Sequence, residues 1–421
     1  MVRIPFWVRL LLVAFLIDIM LIYPVLNRVE GAGFANRILL LVMVLSVFVA
    51  FAHRWVATMT RRWDLATTML MCYFLWIVLS TFGSIALGVQ SASSIFTYGL
   101  NSFAPLILYG CFVRFPDRTF LVKVVAILTA LNILAGAVTF AALGLNIPIV
   151  TETLLPLIVK ADGHRLVSLV GTSTIVGYLS LFCFSWTLFF HQGRSRRLIL
   201  SFFLIGIVLS FQRSMWGGLL MVGLIYFLSP GVSLSVKYRD VALMFGLILA
   251  LAVVFSILAD ASAITKLLWD RFSEFNLADA LSERSNQQQV FVGDSLREIL
   301  FGQGYGKYSP LNKAENLVNL PDAPYHMILN ETGVLGLGLF LSALAAFAVQ
   351  AFVRGNYFQL WFVLHVGVVL IGSRLLWYFP LNFVIFMFLA ILKNDRGDTM
   401  ISNQERFDYA KPLHRYRSGP A

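Results

Sequence analysis

Apolar runs of about 18 residues or more recur along almost the whole of this 421-residue chain. Each is long enough to cross a hydrocarbon core about 30 Å thick. In a bilayer the backbone must satisfy its own hydrogen bonds, so runs of this length fold as helices. The rest of the composition agrees: 59% of residues are hydrophobic and only 13% are charged, where a soluble chain carries about a quarter. A soluble enzyme, a nucleic-acid-binding domain and a disordered scaffold are excluded. The sequence reads as an all-α, polytopic integral membrane protein.

Hydropathy places about twelve spans, near 8–26, 33–52, 65–87, 95–113, 119–144, 167–190, 198–212, 215–229, 240–259, 326–350, 357–372 and 375–392. The first follows Arg3 and Arg9 with no small-residue cleavage site behind it, so it is expected to stay as an uncleaved membrane helix. Alternate connections collect bases: Arg54, Arg61 and Arg62; Arg114, Arg118 and Lys123; Arg194, Arg196 and Arg197; Lys237 and Arg239; and Arg354. The N-terminus and the tail, with Lys393, Arg396, Lys411, Arg415 and Arg417, fall on the same side. The positive-inside rule assigns that side, and both termini, to the cytoplasm, and accounts for the net charge of +11 without nucleic acid.

One connection on the opposite, outward side is far longer than a connector needs to be. It covers 260–325 and holds nine acids against six bases. Within it Ile264, Leu268, Phe272 and Phe275, and again Val292, Leu296, Ile299 and Leu300, recur at helical spacing and predict amphipathic helices. The glycines of Gly302-Gln303-Gly304-Tyr305-Gly306 then break the pattern. The expected organisation is membrane helices over 1–259, an outward loop over 260–325, membrane helices over 326–392 and a polar cytoplasmic tail over 393–421.

Several familiar chemistries lack their residues. No D-x-D pair and no H-E-x-x-H occur, and the six histidines are scattered, so no metal site is expected. A P-loop ending at Lys307 would need glycine where Phe301 stands and Ser or Thr where Tyr308 stands. Cys72, Cys111 and Cys183 lie in apolar segments without ligand spacing, and no cofactor is implied.

What remains are ionisable groups at or near membrane depth, each costly enough to need a reason. Arg213, in Ser210-Phe211-Gln212-Arg213-Ser214-Met215-Trp216, is expected at a tight or broken turn at the outer end of a short helix pair; snorkelling to the headgroups is its other reading. Arg165 begins the sixth span on the same side, where it could equally be an interfacial anchor. Arg284 lies in the long loop, and by charge alone is a solvated residue. His326 opens the tenth span, Asn330 follows one turn later on the same face, and Glu331 stands just inside the apolar run. Asp18 lies mid-way along the first span; a hydrogen bond to a neighbouring helix is the expected reading, a proton relay the alternative. Gathered at one pole, Arg165, Arg213, Arg284 and His326 suit a polyphosphate anion, because guanidinium groups grip phosphate oxygens bidentately.

These residues, in this order, resemble the bacterial O-antigen polymerase and O-antigen ligase family of membrane glycosyltransferases. The stretches that match are 164–178 with Arg165, the S-x-x-R-S-x-W run around Arg213, Arg284 in the loop, the cluster Gly302–Gly306, and Tyr325-His326 followed by Glu331-Thr332-Gly333-Val334-Leu335-Gly336. Met327 departs from the asparagine many members carry after the histidine, and Gln212 from a common serine. The resemblance implies a GT-C-type fold of about twelve membrane helices with one large periplasmic loop, in the bacterial inner membrane. It further implies a polyprenyl-pyrophosphate-linked glycan donor and an inverting, metal-independent transfer to an acceptor hydroxyl on the periplasmic face. Arg213 and Arg284 resemble the residues that hold the pyrophosphate, Arg165 a supporting contact, and His326 the group that orients or deprotonates the acceptor; Asn330 and Glu331 are substrate-binding candidates. Expected partners are the lipid-linked donor, a glycan or lipid A-core acceptor, membrane lipids and a chain-length regulator. A polymerase is the leading reading and a ligase the alternative. A transporter or lipid-glycan flippase is the rival of another class.

Overall fold

The computed structural model describes residues 4–26, 33–60, 63–86, 103–113, 115–144, 173–191, 195–210, 212–230, 232–258, 295–305, 324–370 and 381–393. Among them the regular structure is helical throughout. The helices are α1 (Phe6–Leu26), α2 (Gly33–Met59), α3 (Leu65–Ala86), α4 (Phe103–Phe112), α5 (Arg118–Gly144), α6 (Ser173–Phe190), α7 (Arg196–Leu209), α8 (Arg213–Leu228), α9 (Leu234–Leu258), α10 (Leu296–Phe301), α11 (Pro324–Val353), α12 (Tyr357–Val369) and α13 (Leu381–Leu392). A helix stands at each place where the sequence predicts a span. Six of them, α1, α2, α3, α5, α6 and α11, contain stretches both long and apolar enough to cross a membrane.

The outer surfaces of these helices are apolar at helical spacing. Val42, Leu45 and Val49 of α2, Leu75, Leu79 and Phe82 of α3, and Ile127, Leu131, Leu134 and Val138 of α5 are all exposed. In water such stripes would be aggregation sites; against lipid they carry no penalty. The exception is α6, buried along almost its entire length. It packs against α5, α7, α8 and α12 and centres an aromatic core, in which Phe182 stacks on Phe388 at 3.9 Å between centroids and meets Phe358 and Phe362 edge-on.

Ion pairs draw the predicted basic connections together at one end of the bundle. Arg9 meets Asp117 at 2.7 Å, and Arg196 meets Asp240 at 2.7 Å while donating to the Leu188 carbonyl and the Tyr226 hydroxyl. Lys393 lies 2.9 Å from Asp64, with Arg354 at 4.0 Å. Lys393 also bonds the Thr67 hydroxyl, and Arg354 bonds the Lys393 carbonyl at 2.5 Å. Asp64 and Asp117 double as helix caps, accepting from the Thr67 and Phe120 amides at 3.0 and 3.2 Å. Burial works against ionisation of Asp64, but the Thr67 amide and the Lys393 ammonium outweigh it and hold the carboxyl below the usual carboxylate range.

Two helices depart from regular geometry. In α1 the backbone widens into a π-turn over Asp18–Ile22. In α11 the helix breaks at Gly333, whose φ of 69° and ψ of −175° lie outside helical values. The pair α7 and α8 is short, at 14 and 16 residues, or about 21 and 24 Å.

Candidate functional site

The pole opposite the ion pairs is organised by the break in α11. Interrupting a helix strips partners from the carbonyls of the turn before the interruption, and at membrane depth water cannot replace them. Here other parts of the chain do so. The Gln303 amide donates to the Asn330 carbonyl at 2.7 Å, and the Gly304 amide to the Glu331 carbonyl at 3.2 Å. The Trp76 indole donates to the Thr332 carbonyl at 2.8 Å, and the Ser80 hydroxyl approaches the Glu331 carbonyl at 3.4 Å. The broken helix is therefore a built feature, sealed by the glycine segment that follows α10 and by α3.

That seal needs glycine on both sides. Gly302 has φ 81°, and a Cβ there would lie 2.4 Å from the Glu331 carbonyl carbon and oxygen. A Cβ on Gly333 would lie 2.2 Å from the Leu300 carbonyl oxygen. The two backbones interlock, and no side chain fits between them. Around them, Phe301 stacks on Trp76 at 5.6 Å and Tyr305 on Phe103 at 5.9 Å, which fastens the outward segment to α3 and α4. Of the two amphipathic helices predicted in the loop, the second is present as the short α10, capped by the Ser295 hydroxyl accepting from the Glu298 amide at 3.2 Å. The first lies outside the described residues.

His326, Asn330 and Glu331 all belong to the segment of α11 before the break. His326 is half-buried, Asn330 is 6% exposed and Glu331 fully buried. The Nδ1 of His326 and the Oδ1 of Asn330 are buried and, among the described residues, have no hydrogen-bond partner. One imidazole and one amide, a turn apart on one face with unmet capacity, suit a hydroxyl-bearing ligand, which can both donate and accept. Glu331 lies close enough to the Tyr73 phenol to act on it electrostatically.

Arg213 is the first residue of α8, straight after the turn predicted there. Gln212, in an extended conformation, donates from its side chain to the Ser173 hydroxyl at the start of α6, at 2.9 Å. The starts of α8 and α11 are joined through α12: the Trp361 indole donates to the Gly218 carbonyl at 3.3 Å, and the Tyr325 hydroxyl to the Gly367 carbonyl at 2.5 Å. Arg165 and Arg284 lie outside the described residues. Among the described residues no three of His, Cys, Asp and Glu group together in a way that could hold a metal ion.

Sequence reasoning passed over His365. It is 1% exposed in the middle of α12, stacked between Tyr178 at 5.3 Å and Trp361 at 5.5 Å, and neither of its nitrogens has a partner among the described residues. A Cβ on Gly218 would lie 2.3 Å from its ring, so the glycine is what admits it. The available signal was a histidine inside an apolar run. Asp18 corrects an expectation: neither carboxylate oxygen bonds a neighbouring helix among the described residues. The polar side chains on the helices packed there direct their donors to backbone. Asn36 bonds the Tyr23 carbonyl at 2.9 Å, Thr129 the Val125 carbonyl at 2.7 Å and Asn132 the Leu128 carbonyl at 2.9 Å.

No family model matches this chain, and no curated protein matches it.

Proposed function

We propose that this chain is a membrane glycosyltransferase of the GT-C type, related to the O-antigen polymerases and ligases. It transfers a polyprenyl-pyrophosphate-linked glycan to an acceptor hydroxyl on the periplasmic face of the bacterial inner membrane, acting as an O-antigen or exopolysaccharide polymerase. The observation that carries the reading is the sealed break in α11, which holds His326 and Asn330 with unmet hydrogen-bonding atoms beside the glycine segment of the loop. A transporter gate would need that seam free to open; a fixed, capped break suits a site that positions a reacting hydroxyl.

In this reading the twelve helices all cross the membrane, with both termini cytoplasmic as the basic connections require. The donor enters laterally, and its pyrophosphate is held by Arg213 and Arg284 with Arg165 in support. The acceptor oxygen forms a bond to the anomeric carbon as the bond from that carbon to the pyrophosphate oxygen breaks, with inversion. The bonding electron pair leaves with the pyrophosphate, whose growing charge the guanidinium groups stabilise. The acceptor proton passes to the His326 imidazole, and Asn330 orients the hydroxyl.

The test is the surface-glycan profile of a deletion strain rescued with wild type, His326→Ala or Arg284→Ala. A polymerase gives single-repeat caps, or loss of secreted polymer, in the deletion and in both variants. Long lipid-linked chains accumulating behind bare lipid A-core would make the chain a ligase. A profile unaltered by deletion would refute both.

A further inference from the structure

Asp18 stands apart from the pole just described. It lies nine residues beyond Arg9, which pairs with Asp117 at the opposite end of the bundle, so it sits about 13 Å deeper along α1. That is near the middle of a hydrocarbon core about 30 Å thick. Its side chain is 1% exposed, and neither carboxylate oxygen has a hydrogen-bond partner among the described residues. The backbone at this point is a π-turn, a rare geometry found disproportionately at functional sites. The neighbouring Asn36 is also 1% exposed, donates to the Tyr23 carbonyl at the end of the turn, and leaves its own Oδ1 without a partner. Among the described residues the unmet groups at this turn are all oxygens, with positive charge and donors in deficit.

Among the described residues the surrounding charges do not make up the deficit. The π-turn packs against the rest of α1 and against α5, and α2 packs on α1 to either side of the turn. On α1 the ionisable groups are Arg9, paired with Asp117, and Tyr23; on α2 they are Arg37, which acts on the Tyr23 phenol, and His53 and Arg54 further along. On α5 they are Arg118 and Lys123, both in its first two turns, and α13, whose Phe383 meets Phe15, has none within its helix. None of these forms an ion pair with Asp18 among the described residues. A bare carboxylate in such a place costs several kcal/mol, and a water molecule would meet its hydrogen bonds without meeting its charge.

We infer that Asp18 and its π-turn form a binding site for a small monovalent cation, a proton or an alkali ion, inside the membrane domain and separate from the polar pole. Both occupants answer the same chemistry, neutralisation of an enclosed carboxylate by a hard cation among oxygens. Infrared difference spectra of the full chain in lipid nanodiscs, with aspartate carboxyl carbons isotope-labelled, test this for wild type against Asp18→Asn. Spectra are taken at neutral pH in choline and in sodium buffer. A carbonyl stretch of a protonated carboxylic acid, present in both salts and absent from Asp18→Asn, identifies a proton. A carboxylate stretch that shifts between choline and sodium, and does so only in wild type, identifies an alkali ion. A carboxylate stretch at Asp18 unmoved by the change of salt would overturn the inference, since a permanent counter-charge would then be present. Should Asp18→Asn fail to insert, Asp18→Glu keeps the acid but carries no aspartate label, so the labelled bands assigned to Asp18 must vanish from its spectra, and the assignment still stands or falls.

Discussion

Replacing Gly333 by alanine is the sharpest challenge to the sealed break. Residues other than glycine pay roughly 1–3 kcal/mol for backbone values like those at Gly333. The new methyl group would in addition lie 2.2 Å from the Leu300 carbonyl oxygen, and this obstacle is backbone, which cannot rotate aside. Relieving the clash means lifting the segment after α10 off α11. That breaks the bonds from the Gln303 and Gly304 amides, at 2.7 and 3.2 Å. Each contributes about 0.5–1.5 kcal/mol, and more where the released carbonyl stays dry. The total comes to roughly 2–6 kcal/mol, against about 1 kcal/mol gained from alanine's helix propensity at an unstrained site. Unfolding of the purified chain in mixed micelles, followed by tryptophan fluorescence, measures the difference. Gly338→Ala, in the same helix with nothing within 4 Å of its Cβ, is the control and should be neutral or slightly stabilising. Gly302→Ala disrupts the same seam, so the double variant should lose much less than the sum of the singles. Equal stability of Gly333→Ala and Gly338→Ala would refute the account.

Other expectations concern both poles. Under the proposed function, His326→Ala should slow glycan transfer in reconstituted vesicles by about 100-fold or more, and Arg213→Lys should weaken donor binding despite its retained charge, because lysine lacks the bidentate fork the proposal assigns to Arg213. Gly218→Ala drives a methyl group into the His365 ring and should destabilise by about 1–3 kcal/mol in the same unfolding assay, while Gly217→Ala, with open space at its Cβ, should not. Asp64→Asn removes the carboxylate 2.9 Å from the buried Lys393 ammonium, and should cost about 3 kcal/mol at neutral pH. Because the folded-state value of Asp64 lies below the ordinary one, its contribution is fully present above about pH 4 and is lost as pH falls through the folded value. Thermal unfolding at descending pH should therefore show wild type converging on Asp64→Asn.

Helices were legible in the sequence because lipid leaves the backbone few choices, and the apolar runs mark them directly. The turn before Arg213 was legible for the same reason: polar residues interrupt a run too short to be anything but a hairpin. The His326–Asn330 face followed from helical spacing. The break at Gly333 did not, since the run from 326 to 350 reads as one continuous helix; only the backbone of the loop, arriving from thirty residues upstream, makes a non-helical glycine favourable there. Asp18 defeated the expectation of a partner because a hydrophobicity profile cannot reveal that Asn36, Thr129 and Asn132 direct their donors to carbonyls. His365 is of the same kind, its setting made by aromatic rings from α6 and its own helix together with a missing Cβ on α8.

The shortness of α7 and α8 also bears on the membrane itself. If the hairpin crosses the bilayer, as the proposed function requires, its 14 and 16 residues, about 21–24 Å long, fall roughly 6–9 Å short of the full hydrocarbon core. Lipid beside it must compress to cover the mismatch, at a fraction of a kcal/mol for each ångström. Under that reading the bilayer dimples towards the junction where α7 ends and α8 begins. A chain built this way would shape the thickness of its own solvent, and in the proposed function would offer the long-tailed donor a shallow depression beside the hairpin.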